Sequence, residues 1–146
     1  MSLFSSLSVS ASGMAAQRTR AELLTENLAN AETTRTPQGG PYRRKDAVFS
    51  SEPKTSPFSS VFENELNDTE TGVQVTGIIE DSSEPELRYL PGHPDADANG
   101  YVAFPHINPA EDMTDLLGAS RGYEANVSAM TAVKDMISKS IDLLRA

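Results

Sequence analysis

The densest cluster of chemistry-bearing side chains in this 146-residue chain is the run DADANGYVAFPH, from Asp95 to His106. Asp95, Asp97, Asn99, Gly100 and the apolar Val102 stand where a calcium-binding EF-hand loop puts its early ligands, its glycine and its apolar residue. The twelfth place, which needs a bidentate Glu, holds His106, and Pro94 and Pro105 bar the flanking helices. These residue types read as an Asx-type turn entering a strand, with a calcium-binding module kept as an alternative function. His93 and His106 have no second His or Cys at metal-ligand spacing. No nucleophile elbow is expected among the Ser residues, and no Gly-rich loop followed by Lys cradles a phosphate. The chain is therefore expected to be no enzyme, with no cofactor, no metal and no small-molecule substrate.

Composition narrows the partners. The net charge of -9 disfavours nucleic acid, because phosphate binding needs a cationic surface that releases counterions. Hydrophobic content of 38% with no Trp is low for a self-sufficient globule, although the length suits one modest core. The absence of Cys excludes a disulfide framework and a thiolate zinc site. No stretch approaches the eighteen or so apolar residues of a membrane span, so no direct membrane insertion is expected. The N-terminal MSLFSSLSVSASGMAAQ has no basic region and no sustained apolar core, so any exit from the cytosol is expected to use no cleaved signal peptide.

The elements that must carry these residues are two helices at the ends and strands between them, an α+β arrangement. From Leu3 to about Ala31 a 4,3 spacing runs through Leu3, Leu7, Ser10, Met14, Gln17, Ala21, Leu24, Leu28 and Ala31. The helix is expected to stop there, with Asn30 in a left-handed terminal position and Thr33, Thr34 and the Thr36–Pro37 pair against continuation. The second helix opens at Asn108 as N-cap, Pro109 in the first position and Glu111 and Asp112 in the first turn. Its 4,3 series reads Leu116, Ser120, Tyr123, Val127, Met130, Lys134, Ile137, Ile141 and Leu144, widened by Leu117, Val133 and Met136.

Between them the expected strands are DAVFSS, FSSVFENEL, GVQVTGIIE, ELRYL and GYVAF, punctuated by Pro and Gly. Val73–Glu80 and Glu86–Leu90 are expected to pair as a hairpin across DSSEP. Three zones result: residues 1–34 as an N-terminal coiled-coil helix, 35–107 as a turn-out segment and β-rich middle domain, and 108–146 as a C-terminal coiled-coil helix.

A helix of roughly 30 residues is about 45 Å long, more than a β body of this size can cover. The apolar seam of Leu3, Leu7, Met14, Leu24, Leu28, Leu116, Tyr123, Val127, Met130, Ile137, Ile141 and Leu144 is therefore expected to pair end with end and to meet neighbouring copies. Periodicity leaves two architectures open, a helical hairpin on its own sheet and a polymer subunit whose termini pack into a tube.

Three stretches carry a resemblance. SASGMAAQRTRAELLTENLANAETTRTPQGGPYRRKDAVF (Ser10–Phe49) resembles the N-terminal region of bacterial flagellar rod and hook proteins, with its Asn-Leu-Ala-Asn-x-x-Thr-Thr box. GHPDADANGYVAFPHIN, between the β-rich zone and the second helix, and the C-terminal ASRGYEANVSAMTAVKDMISKSIDLL are similar to the same family, its proximal-rod members in particular. The resemblance implies a structural subunit of the proximal rod of the basal body, which spans the periplasm. It also implies a coiled-coil tube that transmits torque, with other copies and other rod proteins as partners, and passage through the flagellar type III export apparatus. Asn27, Ala29, Asn30 and Thr33 would form the turn-out box, and Ser120, Arg121, Tyr123, Glu124 and Asn126 its C-terminal counterpart, all as packing residues. A type III-exported adaptor or effector shares the helices and the route, but does not explain paired boxes at both ends. Gly122 stands where the family more often has Ala, which costs about 1 kcal/mol of helix stability and is expected to loosen the turn around Arg121. The basic strip Arg43, Arg44 and Lys45, in an acidic chain, is expected either to face acid on an adjacent subunit or to lie as a solvated strand edge. No motif is recognised from Ser50 to Leu66.

Overall fold

The computed structural model describes residues 3–53 and 71–145. Along the chain lie α1 (Leu3–Ala29), β1 (Lys45–Pro53), β2 (Thr71–Glu80), β3 (Glu86–Tyr89), β4 (Tyr101–Phe104) and α2 (Pro109–Arg145). The α+β arrangement is as the periodicity requires, long helices at both ends and short strands between. The candidate strand FSSVFENEL lies outside the described residues.

The strand pairing differs from the expected hairpin. β2 pairs with β1, and β3 pairs with β4, so β2 and β3 are not partners. At the end of β2 the Asp81 carboxylate accepts from the backbone N–H and the hydroxyl of Ser83, at 2.9 and 2.6 Å, and Pro85 follows. That Asx turn steers the chain away before β3 begins. β3 instead runs antiparallel to β4, with Glu86 opposite Phe104, Leu87 opposite Ala103, Arg88 opposite Val102 and Tyr89 opposite Tyr101. Val102 and Phe104 point inward and are buried, while Leu87, Tyr89 and Tyr101 form the exposed face.

The end of α1 also differs in detail. No non-glycine residue has positive φ among the described residues, so Asn30 is not left-handed. Its side chain closes the helix instead, Nδ2 donating to the Glu26 carbonyl at 2.9 Å and Oδ1 accepting from the Thr33 hydroxyl at 3.2 Å. A short polar side chain can satisfy a terminal carbonyl without the backbone reversal that glycine would supply. At the start of α2, Asn108 caps as its type predicts, its Oδ1 accepting from the Ala110 N–H at 3.2 Å.

The chain forms two compact units. One comprises α1 up to Thr19, the stretches from Phe49 and up to Thr76 in the first ribbon, and α2 from Ala119 onward; the other comprises Arg20–Val48 and Gly77–Gly118. In the first unit the helices approach through small residues. A Cβ on Gly13 would come within 3.0 Å of Asn126 Oδ1, and one on Gly122 within 3.2 Å of Gln17 Cδ. Each helix thus offers a glycine to the amide of the other, one turn apart, and Ser5, Ser10, Ala16, Ala119 and Val133 are buried along this line. Gly122 therefore marks a close helix approach within unbroken α2, which corrects the expectation of a looser turn. The second unit has its core in Leu23, Leu24, Tyr42, Val102 and Phe104.

Candidate functional site

The second unit contains the point where the chain leaves α1, turns, and enters β1. Asn27 sits in the last two turns of α1 and is fully buried. Its Oδ1 accepts from the backbone N–H of Lys45 at 2.9 Å, and its Nδ2 donates to the carbonyl of Lys45 at 2.9 Å. One short amide thus pairs both backbone groups of the first residue of β1, as a neighbouring strand would. Asp lacks the donor and Leu lacks both groups, so Asn is the residue type this geometry demands. The Tyr42 hydroxyl completes the set by donating to Asn27 Oδ1 at 3.0 Å.

The intervening loop is held by its own bonds. Tyr42 N–H donates to the Thr33 carbonyl at 3.0 Å, Thr36 N–H to the Gly40 carbonyl at 2.9 Å and Gly39 N–H to the Thr36 carbonyl at 3.0 Å. Gly39 and Gly40 have φ of 89° and 77°, a region open to glycine and strained for other residues. The Tyr42 phenol is pushed up to about 12, by burial first and then by the Glu26 and Glu80 carboxylates.

The strip that follows works as a clasp. Arg44 Nη2 bonds Asp112 Oδ1 at 2.9 Å, and Asp112, near the start of α2, is almost fully buried. Arg44 Nη1 also meets Asp46 at 3.1 Å, and Lys45 Nζ meets Glu26 at 2.6 Å. Burial alone would lower the Arg44 pKa, yet the Asp112 and Asp46 carboxylates outweigh it and hold the guanidinium above its usual value. Consecutive residues therefore tie β1 to both terminal helices, Arg44 to α2 and Lys45 to α1. Arg43 is exposed and, among the described residues, reaches only the Asp81 carbonyl, at 3.5 Å.

The Asp95–His106 run serves the same unit. Asp97 Oδ1 accepts from the N–H groups of Asn99 and Tyr101, both at 2.8 Å, and Asp95 Oδ2 accepts from the Thr34 hydroxyl at 2.8 Å. The two carboxylates are turned to different partners and lock a turn between β3 and β4. Gly100, with φ of 82°, lies where a Cβ would come within 2.9 Å of the Tyr89 ring.

Of the seam residues named from periodicity, Leu24 is buried, while Leu7, Met14, Leu28, Leu116, Met130 and Ile137 are half-buried. Leu3, Tyr123, Val127, Ile141 and Leu144 are exposed, Leu144 at 89%. In the two boxes, Ala29 is exposed and Thr33 half-buried at the loop, while Ser120, Arg121 and Glu124 are exposed on α2. Asn126 donates from Nδ2 to the Gly122 carbonyl at 2.8 Å, which holds its amide against Gly13.

Residues 98–143 match the family model described as "Flagellar basal body rod FlgEFG protein C-terminal". The flagellar basal-body rod protein FlgC of Bacillus subtilis (strain 168) is 43% identical over 98% of this chain and 99% of its own length. The chain belongs to the FlgC family of flagellar basal-body rod proteins. FlgC of Borreliella burgdorferi is 38% identical over 99% of both chains, and FlgC of Salmonella typhimurium 35% over 98% of both.

One feature of this rod protein escapes sequence reading. The partnership of Asn27 with Tyr42 and Lys45, and of Arg44 with Asp112, spans 15 to 68 residues of chain, and no periodicity encodes it. Gly118–Gly122 reads Gly-Ala-Ser-Arg-Gly, so the spacing of a nucleophile elbow is present after all. It lies wholly inside α2 and Ser120 is exposed on that helix, whereas an elbow needs a sharp strand-to-helix turn. Among the described residues no helix is long and apolar enough to cross a membrane.

Proposed function

We propose that this chain is a non-enzymatic structural subunit of the proximal rod of the bacterial flagellar basal body, assembling through its terminal helices into a helical tube that transmits torque across the periplasm. Its partners on this reading are further copies and other rod proteins, and it reaches them through the flagellar type III export apparatus. The observation that carries the reading is the apolar surface left open around α2: Leu117, Val127, Met136, Ile141, Leu143 and Leu144 are all more than a third exposed. Full burial of such side chains stabilises by roughly 1.5–3 kcal/mol each, so covering six half-exposed ones is worth on the order of 5 kcal/mol. That is comparable with a domain's whole net stability. Neighbours offering a different patch at each contact give a helical assembly when the rotation does not close. The Asn27 and Arg44 clasp supports the same reading, because it holds the turn-out loop rigid while the helices stay open to partners.

The test is complementation of a motile bacterium lacking its own proximal-rod gene. The unsubstituted chain should restore rods, seen by electron microscopy of isolated basal bodies, and swimming. Ile141→Asp with Leu144→Asp should leave the chain exported but abolish rods, because both residues are exposed in the monomer and needed only by neighbours. Rods of normal length from that double variant would refute assembly through α2.

A further inference from the structure

A cavity of about 480 Å3 lies against the turn-out loop, lined among others by Arg35, Gln38, Tyr42, Arg43, Lys45 and Glu80. The bases around it divide into two kinds. Lys45 is spent on Glu26 at 2.6 Å, and nearby Arg44 on Asp112 and Asp46 at 2.9 and 3.1 Å. Arg35, with its side chain 80% exposed, keeps only a 3.7 Å contact to Asp95 among the described residues. Among the described residues Arg43 donates only to a backbone carbonyl, at 3.5 Å. Two guanidinium groups therefore line one concavity with most of their hydrogen-bonding capacity unused, and a planar guanidinium matches a carboxylate two bonds at a time.

The acidic residues divide in the same way. Asp115 is spent on Arg20, Glu86 on Arg88, Asp81 on Ser83 and Asp97 on its own turn. Glu124, Asp135 and Asp142 are exposed on α2 and have no partner among the described residues. At 3.6 residues per turn, their spacing places all three within about 20° of one line along the helix. With a net charge of -9 on every copy, long-range repulsion opposes contact between copies, and a local match of opposite sign must offset it.

We infer that Arg35 and Arg43 form a carboxylate clamp that receives one carboxylate of the acidic line Glu124, Asp135 and Asp142 of a second copy. The inference rests on the self-assembling rod reading and adds to it the polar contact that sets register between subunits, alongside an apolar contact that is non-directional.

The chain contains no cysteine, so a single thiol can be placed at the cavity without touching the clamp. Gln38→Cys, carrying a photoactivated benzophenone, is expressed in the complemented strain from a mixture of isotopically light and heavy copies, and the rods are isolated and irradiated. Pro37→Cys, also on the cavity wall, serves as a second attachment point. The expected product joins residue 38 of one copy to the 124–142 region of another, seen as mixed light and heavy peptides. Arg35→Ala with Arg43→Ala should lower its yield about tenfold or more, about one factor of ten being ordinary for a lost charge-assisted pair. Products confined to one chain, to another protein or to lipid or glycan, or a yield unchanged in the double variant, would overturn the clamp. Absence of rods with the unsubstituted chain would instead count against the rod reading.

Discussion

Asn27→Ala should be among the most damaging single changes outside the apolar core. It removes the partner of three groups at once: the N–H and carbonyl of Lys45, each at 2.9 Å, and the Tyr42 hydroxyl at 3.0 Å. A buried polar group left without a partner costs about 1–3 kcal/mol. Lys45 is only half-buried, so water reaches part of its backbone and the lower end of the range applies, about 3 kcal/mol in all. Tyr42→Phe removes one bond and should cost about 1 kcal/mol. The double variant should lose about 1 kcal/mol less than the sum, because the hydroxyl that Asn27→Ala orphans is then absent. Asn27→Asp separates shape from chemistry, since it keeps the acceptor and turns the donor to the Lys45 carbonyl into a repulsion. Urea unfolding of the full chain, followed by circular dichroism, measures all four variants against the unsubstituted protein. A loss below about 1 kcal/mol for Asn27→Ala, or strict additivity in the cycle, would refute the view that this amide holds the turn-out junction.

Arg44→Ala leaves Asp112 buried and unpaired, and should cost about 3 kcal/mol in the same assay, with Arg44→Lys recovering part of it. The raised Tyr42 pKa favours the neutral phenol in the folded state. Its contribution is therefore complete below the ordinary value of 10.0 and lost as pH rises to about 12; spectrophotometric titration of Tyr42→Phe should lack that late step. Gly118 faces open space on α2, so Gly118→Ala should gain about 0.5–1 kcal/mol from helix propensity. Gly13→Ala should instead lose stability, because the new methyl meets an Asn126 amide that its own hydrogen bond holds in place.

The sequence by itself determined the terminal helices and the Asn108 cap of the second. Each rests on near neighbours: a 3.6-residue period and an Asn-Pro start. It also marked the Asn27–Thr34 box, although only as a resemblance, without the reason Asn is needed there. Tertiary structure alone decided which residues meet across long stretches of chain. β2 takes β1 as its partner and β3 takes β4, since the Asp81 turn breaks the path between adjacent strands. Arg43, Arg44 and Lys45 look alike in sequence, yet two are folded into ion pairs and one is left at the cavity with Arg35. The helices meet through glycine and amide along a row of small residues because backbones can approach only where no Cβ intervenes. Much of the apolar stripe, the stronger signal in the sequence, is thereby left uncovered within a single copy.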